Sequence, residues 1–322
     1  MKKTYWQAVA RARDLGRNPM QVMLDGRPIV LFRTASGVAA LDDRCPHRLV
    51  ELSKGRVVGG SIECPYHGWR FGPDGTCVAI PGCMTPLPTY RVPRLAVIES
   101  EGGLFVSAEP NATQPYVHAM QGQRSIVRVV RSATRSTLVD AAENILDATH
   151  THFTHKGLLR GLSAKRYRVK VEVTAGVDWV EASYKGEERQ HGLTSGLLEG
   201  ARVETIGRYR HPGIAELEYR GSKGLVLATT FHLREADAQT VEGIGWLAGP
   251  RKSWIDPIKA LAFQPMFKIA LEQDRRVLRS AFDNARGATP IVGPLDFLRK
   301  SIEAIARGDT PPQEPRSYEL EL

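Results

Sequence analysis

The apolar positions in the first third of the chain fall in short runs broken by turn residues. Pro28-Ile29-Val30-Leu31-Phe32-Arg33 reads as a strand, with Asp25-Gly26 before it and Ser36-Gly37 after it as hairpin signals. Val38-Ala39-Ala40-Leu41 continues the meander. Residues 55–110 carry many Gly and Pro around short apolar pieces such as Gly103-Leu104-Phe105-Val106. Short strands with dense turns predict a small β-sandwich or barrel. Glu109-Pro110-Asn111-Ala112-Thr113-Gln114-Pro115 reads as a linker, and the expected domains are 1–112 and 113–322.

Beyond the linker the period changes. Val139 to His155 reads as helix, with Val139, Ala142, Ile145, Leu146 and Ala148 as its apolar positions. Tyr167-Arg168-Val169-Lys170-Val171-Glu172-Val173 alternates strictly, as a half-buried strand does. Trp179–Tyr184, Ala215–Tyr219 and Leu225–Phe231 read as further strands, and 257–286 and 294–306 as helices. The second domain is therefore expected to be α+β, an antiparallel sheet with helices packed on it.

Composition narrows the classes. With 322 residues, 42% hydrophobic and 25% charged, the chain has material for two ordinary cores. It contains no apolar run of 18 residues, so no membrane span is expected. Met1–Gln7 is basic but has no apolar stretch behind it, which is not a signal peptide; a cytoplasmic protein is expected. Four cysteines are too few for a disulfide framework and, beside histidines, read better as metal ligands. The formal charge of +9 raises nucleic-acid binding, but the basic residues are spread along the chain, so neither nucleic acid nor membrane is an expected partner. A basic face for an acidic protein partner is the functional reading, and solubility the plain one.

The chemistry is concentrated in two places. Cys45-Pro46-His47 is followed, after 16 intervening residues, by Cys64-Pro65-Tyr66-His67-Gly68-Trp69. Two thiolates and two imidazoles could hold tetrahedral zinc, or a [2Fe–2S] cluster with the cysteines on one iron and the histidines on the other. Zinc fingers usually keep a Cys pair apart from a His pair. Here each loop mixes the two and sits among short β-pieces, which favours the cluster. Cys77 and Cys83 lie beyond the second loop and read as ordinary thiols.

The second place holds three of the nine histidines, in Asn144-Ile145-Leu146-Asp147-Ala148-Thr149-His150-Thr151-His152-Phe153-Thr154-His155. On a regular helix His152 and His155 share a face, whereas His150 and His155 stand about 140° apart. The latter two can share a metal only if the helix ends or distorts between them. Downstream, Leu271-Glu272-Gln273-Asp274 offers two acids. Phe267, Ala270, Leu271, Val277, Leu278 and Ala281 place Asp274 in an apolar stripe, and Glu272 falls among Lys268, Arg275 and Arg276. A buried carboxylate needs a cation, either an arginine or a metal.

These motifs resemble those of the Rieske non-haem iron oxygenases, the ring-hydroxylating oxygenase alpha subunit family. C-x-H, 16 residues and C-x-x-H-G-W is similar to their cluster motif, and it lacks the extra loop cysteines of respiratory-type Rieske proteins. N-x-x-D-x-x-H-x-x-x-x-H, on Asn144, Asp147, His150 and His155, is similar to their iron-binding segment, closest in pattern to the dicamba and vanillate O-demethylase type. The resemblance implies a Rieske [2Fe–2S] cluster on Cys45, His47, Cys64 and His67, and a mononuclear Fe(II) on His150, His155 and Asp274, with His152 a bystander. It implies a helix-grip catalytic domain, with Asn144 lining the site and Asp147 bridging to the cluster histidine of a neighbouring subunit in a homotrimer. It further implies O₂ as co-substrate and electrons from NAD(P)H through a separate reductase or ferredoxin, since no dinucleotide fingerprint occurs here. Monooxygenation or oxidative demethylation of a small aromatic or heterocyclic substrate is expected ahead of cis-dihydroxylation. The competing reading is a Rieske ferredoxin, which needs only the first domain. Tyr184, His191, His211, Phe231 and Trp246 are candidates for pocket lining, each equally readable as core or surface.

Overall fold

The structure, a computed structural model, describes residues 5–109, 113–158, 166–186, 202–254 and 256–322. The chain divides into two compact units, Met1–Tyr116 and Val117–Leu322. The division lies just past the expected boundary at 112/113, which adjoins residues 110–112, outside the described residues.

The first unit is all β. Its strands are β1 (Gln7–Arg11), β2 (Met20–Leu24), β3 (Arg27–Thr34), β4 (Gly37–Asp42), β5 (Arg56–Val58), β6 (Ser61–Glu63), β7 (Arg70–Phe71), β8 (Cys77–Ala79), β9 (Arg94–Ser100) and β10 (Gly103–Ser107). They form a six-stranded sheet, β1-β10-β9-β4-β3-β2, and a four-stranded sheet, β5-β6-β7-β8. Leu24 pairs with Arg27, so Asp25-Gly26 is a two-residue hairpin loop, and both residues take positive φ (49° and 76°) as the twist of the strands requires. Alternation along β3 feeds two cores. Ile29 and Leu31 pack with Val9, Leu24 and Leu104, whereas Val30 and Phe32 pack with Leu52, Ile62 and Phe71. Only the second of these cores contains Cys45 and Cys64.

The second unit contains β11 (Ser125–Arg135), α1 (Leu138–Leu146), α2 (Thr151–Thr154), β12 (Arg168–Ala175), β13 (Trp179–Lys185), β14 (Arg202–Arg210), β15 (Ile214–Gly221), β16 (Gly224–Glu235), β17 (Thr240–Pro250), α3 (Asp256–Ala285), α4 (Arg299–Arg307) and β18 (Arg316–Glu321). The strands make one antiparallel sheet, β11-β17-β16-β15-β14-β13-β12-β18. Its apolar face, with Tyr209, Phe231 and Leu247, packs against Leu146 of α1, Phe263 of α3 and Ile302 and Ile305 of α4. The glycines of β17 make room there: a Cβ on Gly245 would lie 2.5 Å from the Phe231 ring.

The helix expected from Val139 to His155 is two helices. Thr137 caps α1 by accepting the Asp140 amide, and the helix stops at Leu146. Asp147 then turns to extended backbone (φ −73°, ψ 117°). Its carboxylate accepts the amides of Thr149 (2.7 Å) and His150 (3.1 Å) and the Thr149 hydroxyl (2.6 Å). Such local side-chain bonds compete with the helical ladder, and here they win.

Candidate metal centres

The four cluster candidates sit on two loops of the first unit, one between β4 and β5 and one between β6 and β7. The loops share a backbone plan. Cys45 N–H donates to Val50 O and Leu49 N–H to Cys45 O; Cys64 N–H donates to Trp69 O and Gly68 N–H to Cys64 O. The fourth residue after each cysteine takes positive φ, Leu49 at 62° and Gly68 at 72°. At Gly68 a Cβ would also meet Pro81 Cγ at 2.9 Å, which accounts for the glycine after His67. Both cysteines are buried, and the rings of His47 and His67 stand 4.6 Å apart, half-buried and exposed respectively. Trp69 stacks on His47 at 4.6 Å with an 8° interplanar angle, and Tyr90 stacks behind Trp69 at 5.3 Å. Nothing in the sequence pattern pointed to Tyr90.

The electrostatics suit cation-dependent ligation. Burial, with the neighbouring Cys64 thiol, pushes the Cys45 thiol up to about 11, so its thiolate needs a cation beside it. Partial desolvation and the adjacent His67 and Arg48 pull His47 down, towards the neutral imidazole that ligates iron. All four cysteines are free thiols.

In the second unit the break after α1 turns His150 and His155 towards Asp274 of α3. His155 Nε2 lies 3.0 Å and His150 Nε2 3.5 Å from Asp274 Oδ1, and the two Nε2 atoms are 3.3 Å apart. Ligand atoms about 2.1 Å from one ion stand about 3.0 Å apart at right angles and about 3.4 Å apart at tetrahedral angles. Among the described residues these three form the group whose ligand atoms all lie within 4.8 Å of one another. Asp274 Oδ1 is buried and has no hydrogen-bond partner. Two imidazoles and one carboxylate with this spacing fit the two-His-one-carboxylate set of a mononuclear ferrous centre.

Each imidazole is held from behind. His155 Nδ1 lies 2.8 Å from Oε1 of Gln273; donating a proton there leaves Nε2 free to ligate. His150 Nδ1 lies 3.3 Å from Asp147 Oδ2, near enough for an ion pair but not aligned as a hydrogen bond. Burial opposes charge on His150, yet Asp147 and Asp274 outweigh it and raise the imidazole to about 9. Burial likewise works against Asp147 and Asp274, but the nearby His150 imidazole, with Thr149 beside Asp147 and His155 beside Asp274, holds both carboxylates below the ordinary range.

The remaining candidates sort as follows. Asn144 and Asp274 line one small cavity of about 50 Å³, together with Phe231. Glu272 turns away and pairs with Arg275 (2.9 Å) and Arg276 (3.5 Å). His152 is not in the three-residue group. Tyr184 is core, donating to Leu146 O at 3.3 Å, and Trp246 is buried edge-on to His232. His211 lies between β14 and β15, and His191 falls outside the described residues. Gln273 was not anticipated; its one signal is its place next to Asp274.

Comparison with known proteins extends the picture. Residues 5–91 match the Rieske [2Fe-2S] domain family. The chain is 32% identical over 167 residues to the 3-chlorobenzoate-3,4-dioxygenase oxygenase subunit of Comamonas testosteroni, covering 49% of this chain and 38% of that one. It is 34% identical over 159 residues to the methylxanthine N3-demethylase NdmB of Pseudomonas putida, covering 46% and 45%. The matches thus span less than half the length of these curated relatives. The crystal structure of dicamba monooxygenase bound to dicamba superposes with a TM-score of 0.79 at 18% identity, covering 94% of this chain and 95% of that one. The N-terminal part of the chain is a Rieske [2Fe–2S] domain, carried on a polypeptide with the fold of dicamba monooxygenase.

Proposed function

We propose that the chain is the terminal oxygenase of a multicomponent system, which hydroxylates or oxidatively demethylates a small aromatic or heterocyclic substrate. The observation that carries this reading is the convergence of His150, His155 and Asp274, in a chain that also bears a Rieske domain. A [2Fe–2S] cluster on Cys45, His47, Cys64 and His67 supplies one-electron transfer, and a ferrous ion on His150, His155 and Asp274 supplies O₂ activation. The protein's own part is positional. Gln273 and Asp147 fix the two imidazoles, and Asn144 borders the cavity that reaches Asp274. Electrons come from NAD(P)H through a separate reductase or ferredoxin, and the setting is cytoplasmic.

The working assembly is a ring of three, with Asp147 at the junction between one chain's cluster and the next chain's iron. Ile258, Leu261, Ile269 and Val277 support this reading: they leave apolar surface exposed along α3, as a subunit contact would. Asp147 itself remains 30% exposed, within reach of a neighbour. Two measurements test the proposal. Iron counting should give three per chain, where a ferredoxin gives two. Trimers mixing Cys45→Ser chains with Asp274→Ala chains should regain turnover that neither parent has. Mixed trimers that stay inactive while each parent keeps its other metal would refute transfer between chains.

A further inference from the structure

A second cavity in the second unit is lined by none of the histidines. It measures about 450 Å³ and lies between the sheet and the first turns of α3. Its walls are largely apolar, with Ile126, Val130, Leu227, Leu247 and Phe263, a volume and lining suited to a small organic ligand. Three cations line it from three separate elements: Arg128 from β11, Lys223 from the two-residue loop joining β15 to β16, and Lys252 from the segment before α3. Among the described residues none of the three has a carboxylate partner, and the Arg128 guanidinium donates to its neighbour's carbonyl, Val127 O, at 3.2 Å. The single acid on the wall, Asp256, is committed to the backbone amides of Lys252 (2.8 Å) and Ser253 (2.6 Å). Unpaired cations around an apolar hollow favour an anion with an apolar body.

The cavity is linked to the iron-ligand set by a row of rings. Phe263, which lines it, lies 5.9 Å from Phe267, and Phe267 stacks on Phe231 at 6.3 Å. Phe231 in turn lines the small cavity that holds Asp274 and Asn144. Along α3, ten residues separate Gln264 from Asp274, an axial distance of about 15 Å.

We propose that this cavity seats the anionic end of the substrate, whose apolar body lies along Phe263, Phe267 and Phe231 towards His150, His155 and Asp274. The substrate class is then an amphipathic organic anion (a carboxylate, sulfonate or phosphate) whose reacting carbon lies on the order of 10–15 Å from its charge, given the helical rise between the two cavities. This rests on the oxygenase reading, but the two fail separately.

The test is calorimetric titration of the metal-loaded protein with 4-phenylbutanoate and with its neutral counterpart, 4-phenylbutanamide. The acid should bind roughly tenfold more tightly, as a charge-assisted contact gives over a neutral one. Replacing the three cations together (Arg128→Gln, Lys223→Gln, Lys252→Gln) should erase that preference while leaving iron content unchanged. Ala260→Trp, which fills the cavity from α3, should abolish binding of both probes. Equal affinities in the native chain, binding of neither probe, or a preference that survives the triple substitution overturns the anion site. Iron is counted on the same samples. Three irons per chain without a preference leaves the oxygenase reading standing alone, and two irons with the preference intact does the reverse.

Discussion

Gln273 offers the sharpest test of how the mononuclear site is built. Its Oε1 lies 2.8 Å from Nδ1 of His155, an imidazole only 2% exposed. Truncation to alanine strands that buried N–H, at a cost of about 1–3 kcal/mol, and also lets the ring rotate off its ligating angle. At 1.4 kcal/mol per decade this predicts ferrous affinity weakened about 10- to 100-fold, the usual scale for losing an outer-shell partner of a metal-bound histidine. Gln273→Glu keeps an acceptor at the same place and should hold affinity near the native value. Competition for ferrous ion against a chromophoric chelator reads the constant directly, and the Rieske absorption of the same sample controls for unfolding. Affinity within twofold of native in Gln273→Ala would show that His155 is oriented by packing alone. Parallel loss of the Rieske spectrum would assign the effect to the fold.

Other outcomes follow from the same geometry. Cys45→Ser or His67→Ala should remove the visible absorption and the reduced-state EPR signal of the cluster while the mononuclear iron remains, as iron counting will show. Asp274→Ala should cost one iron per chain and all turnover. Glu272→Ala, which breaks only the pairs to Arg275 and Arg276, should keep every iron; the reverse result would overturn the helix-face assignment. His232 gives a pH signature. Burial, then the nearby His118 and Arg210, lowers its imidazole to about 4, and its ring lies 2.9 Å from Val117 O. The unfolded chain binds that proton near 6.5 and the folded chain does not, so the contribution is present above about 6.5 and drains away as pH falls towards 4. It amounts to about 3 kcal/mol at most, and denaturant titrations of His232→Gln should show a shallower acid limb across that window.

Much of the candidate chemistry could be located in the sequence because it is written in short, local spacings. Cys45, His47, Cys64 and His67 lie on two loops whose turn residues are themselves visible in the sequence. Helical periodicity separated Asp274 from Glu272 two residues earlier. The His150–His155 pairing was not legible from periodicity, since five residues on an intact helix point apart. The deciding event is the capture of two amides by the Asp147 carboxylate, a competition that propensity does not rank. Strands β11, β14, β17 and β18 were also missed. In β17 the reason is plain: Gly243, Gly245 and Gly249 look like turn formers, but Gly245 is a strand residue that yields its side-chain volume to Phe231. Gln273, Tyr90 and the cations of the large cavity act through partners far away in sequence, and no local pattern announces them.

Helix α3 carries Asp274, the candidate third ligand, with Gln273 beside it, and lines both cavities. Among its described side chains only Phe263 and Ala270 are buried, and the others keep some exposure. A metal that bridges Asp274 to His150 and His155 therefore acts as a clamp between segments more than a hundred residues apart, and mass action makes the clamp adjustable. At a thousandfold excess of free ion over its dissociation constant, a ligand specific to the folded state adds about 4 kcal/mol. Amide exchange along α3 should then slow with ferrous ion concentration, while exchange in the first unit stays level.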